Sequence, residues 1–172
     1  MTVFVVAGFG RCGSSLVMQM LAAGGMDVTG SPPTHETAQA GSTFDAHWIE
    51  RQKGRVVKIL APNVHPLPKK CPMRSIWLDR DPREQAKSAL KMHSTFGGRS
   101  PLSGRDVLRK GEAKLRRNRQ RAIGAIRSRG PVLEMKFEDI LASPTDAATS
   151  LAEWFDLEPR HISAMAAVVR EK

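Results

Sequence analysis

The chain is expected to fold as an α/β domain, wound on both faces of a mostly parallel sheet, and three observations predict it. Short β-rich apolar runs at residues 3–7, 56–60, 75–78 and 132–135 alternate with segments of helical period. The first run ends in a glycine-punctuated turn, AGFGRCGSSL (residues 7–16), that leads directly into a helical pattern. With 172 residues, 41% of them apolar, the chain is expected to form one domain over its whole length.

The elements follow in order. A helix is expected over 13–23, opening at the glycine turn, and a second over 44–52 after an irregular Gly/Ser/Thr-rich stretch at 30–42. The strand 56–60 and a loop at 65–72 lead to the strand 75–78. The next helix, 82–93, is well signed, because Asp81, Pro82 and Glu84 supply a cap, a first-turn proline and an acid in the first turn. Another loop, 95–104, precedes a long helix over 105–128, whose Leu108, Leu115, Ala122 and Ile126 recur at helical spacing. That pattern turns Arg116, Arg117, Arg119 and Arg121 mostly outward. After the strand 132–135, Ser143, Pro144 and Asp146 repeat the cap signature for a helix over 144–155, and a last helix runs 160–169.

The glycine turn is a candidate phosphate cradle. Successive loop N–H groups form a concave anion site, to which a following helix adds its positive end. Gly8 and Gly13 match the frame GxxxxGK[ST], but Ser14 stands where a nucleoside triphosphatase has its lysine, and the cation is Arg11 inside the loop. A three-layer P-loop-type domain with Arg11, Gly13, Ser14 and Ser15 at the anion is therefore expected. Cys12 lies in the same loop and reads first as a small residue filling it; the alternative is a thiol whose pKa the helix N-terminus beside it lowers.

Composition bounds the rest. The net charge of +10 is concentrated, since residues 99–129 hold eleven Lys or Arg against two acids, Asp106 and Glu112. Such a segment suits nucleic acid, a polyanionic acceptor or an acidic nucleotide, or is a solvated helix face. No aromatic alternates with these cations and the chain has no tyrosine, so base stacking is poorly supported and no nucleic-acid partner is expected. Two cysteines, Cys12 and Cys71, form no framework of bridges; with no apolar stretch of membrane-spanning length and no basic leader, the chain reads as cytoplasmic, with no membrane partner.

A second anion site follows the third strand. In IWLDRDPREQAKS, Arg80 falls at the C-terminal edge of the strand and Ser88 two turns into the next helix. Ligands of parallel sheets bind at that edge. Two phosphate sites on one rim point to a nucleotide phosphorylated at two places. The alternative takes residues 76–79 as a Walker B strand, with Asp79 holding Mg²⁺ for an ATP-dependent kinase.

These segments resemble the sulfotransferases that use 3′-phosphoadenosine 5′-phosphosulfate (PAPS). GFGRCGSSL is similar to their 5′-phosphosulfate loop, SIWLDRDPREQAKSAL to their 3′-phosphate segment, and MKFEDILASPTDAATSLAEWFDLEP to their downstream strand and helix pair. The resemblance implies that Arg11, Cys12, Gly13, Ser14 and Ser15 form the phosphosulfate loop, that Arg80 and Ser88 bind the 3′-phosphate, and that Lys58 lies near the transferring group. It further implies PAPS as donor, 3′-phosphoadenosine 5′-phosphate (PAP) as product, no required metal, and a small-molecule or glycan acceptor with a hydroxyl or amine. Two departures stand out. The family's Arg-Lys-Gly element is not found downstream of FEDIL, and Leu60 occupies the position where small-molecule members carry a histidine. A base must therefore come from elsewhere, and the segment THE offers Glu36 first and His35 second. Asp45, His47 and His65 read as surface or capping residues.

Overall fold

The computed structural model describes residues 2–37, 45–95 and 104–170. Among them, four strands form one parallel sheet: β1 (Val3–Gly8), β2 (Val56–Leu60), β3 (Met73–Asp79) and β4 (Val132–Lys136), in the order β2-β1-β3-β4. The helices are α1 (Ser14–Ala23), α2 (Ala46–Glu50), α3 (Pro82–Thr95), α4 (Gly104–Arg127), α5 (Phe137–Ala142), α6 (Pro144–Trp154) and α7 (Ile162–Arg170). All four expected strands and six expected helices are present, with ends displaced by a few residues. The expected start of α2 at Phe44 lies outside the described residues.

Alternation along β1 builds the three layers. Val6 faces Leu16, Met20, Leu151 and Met165, so α1, α6 and α7 cover one side of the sheet. On the other side Val3, Val5 and Ala7 meet Trp77, Ile123 and Ile126, so α4 covers that one. Both faces of β1, β2 and β3 are thus mostly buried, which is what near-continuous apolar strands require, while the edge strand β4 is half-buried. The chain leaves β1 for β2 on one flank and crosses back to β3 on the other, so the connections diverge beside β1. The loops after β1 and β3 open at that point, the crevice where parallel sheets hold ligands.

Three local expectations are corrected. Arg119 is only about a third exposed: its Nε lies 3.0 and 3.1 Å from the two Asp79 carboxylate oxygens, and its Nη2 also donates to Glu134 at 2.9 Å. Helical spacing places it at the boundary of the buried face, and the carboxylates of β3 and β4 draw it in. Ser143 occupies the N-cap position of α6 but makes no capping hydrogen bond with its side chain. Finally, α5 forms between β4 and α6 where no separate helix was expected; a helix of under two turns is too short to show a period.

Candidate functional site

The turn after β1 is shaped by backbone geometry. Arg11 and Gly13 both adopt left-handed conformations, with φ of 70° and 95°, while the Cys12 N–H donates to the Phe9 carbonyl at 3.2 Å. Leu16 and Val17 then donate to the Gly13 carbonyl, closing the first turn of α1, whose positive end opens on the loop. A Cβ on Gly13 would lie 2.2 Å from Cδ2 of Phe137, so only glycine admits both the backbone angle and the aromatic wedge from α5.

The segment after β3 is stitched to this turn. Arg80 donates from Nη1 to the Arg11 carbonyl at 3.1 Å, and its guanidinium stands 4.7 Å from the centre of the Phe137 ring. Its Nε is buried and has no partner among the described residues. From α3, the buried Gln85 donates to the carbonyls of Phe9 (3.2 Å) and Gly10 (2.8 Å), and Ser88 accepts from Arg11 Nε at 3.0 Å. Asp81 caps α3 as expected, accepting from the N–H groups of Arg83 and Glu84 at 3.0 and 2.9 Å. Its own N–H donates to Glu138 at 3.0 Å. The sequence motifs marked the loop and Arg80 but not Gln85, Phe137 or Glu138. Nothing in their residue types distinguishes them from ordinary helix residues; their roles arise only where three separated segments meet.

A second cluster lies on the α1 side. The Lys58 side chain is only 3% exposed, and Nζ donates to Ser15 Oγ (3.4 Å), to the Thr34 carbonyl and to Glu36 Oε1 (3.4 Å). Burial pushes the Lys58 pKa down, and the Glu36 carboxylate opposes that shift. The segment 31–36 is closed by a bridge between Ser31 and Glu36, with His35 in a left-handed conformation at φ 52°. His35 is buried, its Nδ1 lacks a partner among the described residues, and burial lowers its pKa. Ser15, Lys58 and Glu36 are therefore brought together, while the imidazole is packed inside the turn.

Two alternative readings of the loop and rim are set aside. Cys12 is fully buried in the core beside Leu16 and Leu78, and burial raises its thiol pKa although the amide and hydroxyl of Ser14 approach the sulfur. It fills space and is not the activated, ligand-facing thiol that its helix-end position suggested. Asp79 is committed to Arg119 and to Trp77, whose indole N–H donates to it at 2.8 Å, which removes the carboxylate that a Walker B reading needs for Mg²⁺. The outsiders behave as capping and surface groups: Asp45 caps α2 through the His47 N–H at 3.1 Å, His47 pairs with Glu50 at 3.5 Å, and His65 meets the Leu60 carbonyl at 2.9 Å.

Beside the loop, between α3, α4 and the turn after β2, lies a cleft of about 770 Å³ with predominantly apolar walls, including Phe9, Val64, Leu90 and Leu115. No helix among the described residues is long and apolar enough to cross a membrane.

No family model matches this sequence, and no curated protein matches it. Solved structures do match. The mouse sulfotransferase SULT7A1 complexed with PAP superposes with a TM-score of 0.66 at 13% identity, over 98% of this chain and 63% of that one. The chain has the sulfotransferase fold. A retinol dehydratase bound to androsterone and the inactive cofactor PAP gives 0.61 at 16% identity, over 98% of this chain and 64% of that one. A sulfotransferase from Alicyclobacillus acidocaldarius gives 0.56 at 16% identity, over 92% and 82%. The chain thus spans a little under two thirds of the length of the first two. The expected architecture, a P-loop-type α/β domain, is the one these structures share.

Proposed function

We propose that the chain binds PAPS at the rim between β1 and β3 and transfers its sulfuryl group to a hydroxyl or amine of a small-molecule acceptor. One observation carries this reading. Two anion sites, the glycine turn and the Arg80–Ser88 segment, meet on one sheet edge, and Arg80 offers a buried Nε with no partner among the described residues. The residues fit a doubly phosphorylated nucleotide: Arg80 keeps a buried Nε without a partner among the described residues, and Arg11 and Ser88 add donors beside the positive end of α1. When bound, PAPS supplies the sulfuryl group and leaves as PAP.

The chain's own groups divide the remaining work. Arg11, Gly13, Ser14 and Ser15 hold and neutralise the phosphosulfate end, and Arg80 and Ser88 hold the 3′-phosphate. Lys58, in reach of Ser15, carries positive charge to the same corner and orients Glu36, which takes the acceptor proton. Glu36 is preferred to His35 because its carboxylate is half exposed beside Lys58, whereas the imidazole is enclosed. The apolar cleft next to the loop supports a small acceptor with a hydrophobic body; retinol and androsterone occupy the matching retinol dehydratase structures. A metal-dependent kinase is disfavoured by the commitment of Asp79 to Arg119.

Calorimetric titration with PAP, ADP and ATP, without Mg²⁺ and then with it, tests the donor site. Selective PAP binding that Arg80→Ala abolishes is the expected result. ATP binding that equals or exceeds it and requires Mg²⁺ would overturn the proposal. For the base, Glu36→Gln should lower turnover roughly 10²-fold or more while PAP affinity is retained; full turnover would remove Glu36 from that role.

A further inference from the structure

The cleft beside the nucleotide loop carries a charge that its apolar walls do not explain. Among its described lining residues there is no carboxylate, and Lys114 is the one permanent charge. Lys114 does not stand alone on α4. Lys110, Lys114, Arg117 and Arg121 are all exposed and recur at intervals of four, three and four residues, which places them on one face over about 16 Å of helix.

A parallel row on the same helix behaves differently. Arg109 pairs with Asp106 at 3.7 Å, Arg116 with Glu112 at 2.9 Å, and Arg127 with Glu134. The row containing Lys114 has no ion-pair partner among the described residues. It adjoins an apolar wall that includes Phe9, Leu90, Leu115 and the exposed Val64.

Resting on the donor site proposed above, we infer that the acceptor is an anionic amphiphile. Its apolar body fills the cleft, and its carboxylate, sulfate or phosphate lies on Lys114, flanked by Lys110 and Arg117. A nucleic-acid partner fits less well, because α4 carries no aromatic side chain on which a base would stack. A membrane surface also fits poorly, since the basic face of α4 has no large apolar residue to insert.

The test compares para-hydroxyphenylpropionate with its neutral amide, by ligand-observed NMR titration with and without PAP. The carboxylate should bind about fivefold tighter than the amide, the scale of one partly exposed ion pair. That ratio should fall to about one in Lys114→Ala, reverse in Lys114→Glu, and fade as salt rises. Lys53→Ala, an equal loss of charge on the exposed turn before β2, should leave it intact. Equal binding of the two probes, or a preference that survives Lys114→Glu, would overturn the inference. Absence of PAP binding would count against the donor site alone, because the probe ratio measured without PAP judges Lys114 independently.

Discussion

Replacing Gly13 by alanine tests how the nucleotide site is assembled. Two costs add. A Cβ at φ 95° costs about 1–2 kcal/mol in the left-handed region, and it would also lie 2.2 Å from the Phe137 ring, forcing a displacement worth about 1–3 kcal/mol. Gly13→Ala should therefore lose about 2–5 kcal/mol of stability by urea unfolding, a large share of a typical domain's total. The second cost depends on Phe137 and the first does not. In a Phe137→Ala background the same substitution should cost only the backbone share, giving a coupling of about 1–3 kcal/mol in the double-mutant cycle. Because Phe137 also supports the Arg80 guanidinium at 4.7 Å, Gly13→Ala should weaken PAP binding in parallel. Additivity of the two substitutions within about 0.5 kcal/mol would refute the claim that the wedge, rather than the backbone angle alone, excludes a side chain here.

Other outcomes follow from single contacts. Gln85→Leu removes both side-chain donors to the Phe9 and Gly10 carbonyls; at about 1 kcal/mol net per bond it should raise the PAP Kd some tenfold or more, and an unchanged Kd would show that the loop holds itself. Asp79→Asn should cost about 1–2 kcal/mol, since the pair with Arg119 is about a third exposed, and should leave PAP affinity and its independence of Mg²⁺ unaltered by calorimetry. Lys58 has a folded-state pKa below its ordinary 10.5, so the unfolded chain binds more protons in that window and stability should rise as pH climbs toward 10.5; Lys58→Met should flatten that slope in a pH series of urea melts. Cys12, enclosed and with a raised pKa, should react with a thiol reagent only at the rate of unfolding; prompt labelling of the native protein would contradict its place in the core.

The elements that were legible share one trait: their signals are local and repeated. β-rich runs of apolar residues placed β1, β2 and β3 because a strand buried on both faces needs nothing else, and the shorter run of the half-buried edge strand β4 was still long enough to show. The Asp81–Pro82–Glu84 signature placed the start of α3 through a hydrogen bond that spans three residues. The glycine frame located the loop, since only certain residue types tolerate its angles. Short α5 was missed for lack of a period, and Cys12 left two readings open, because proximity to a helix end says nothing of whether the sulfur faces ligand or core.

By itself, then, the sequence determined a parallel α/β sheet, a glycine loop after its first strand, and a cation at the edge of its third. Tertiary structure alone decided how these act together. Arg80 reaches the Arg11 carbonyl, Gln85 reaches Phe9 and Gly10, and Lys58 joins Ser15 to Glu36 across separations of 22 to 76 residues. It also turned Arg119 inward onto Asp79 and left Lys114 facing an apolar cleft. Local pattern follows from the backbone's own geometry and from burial of one face, and so can be read along the chain. Which polar groups meet depends on strand order and on crossovers, because side chains distant in sequence become neighbours only when the sheet has closed its layers.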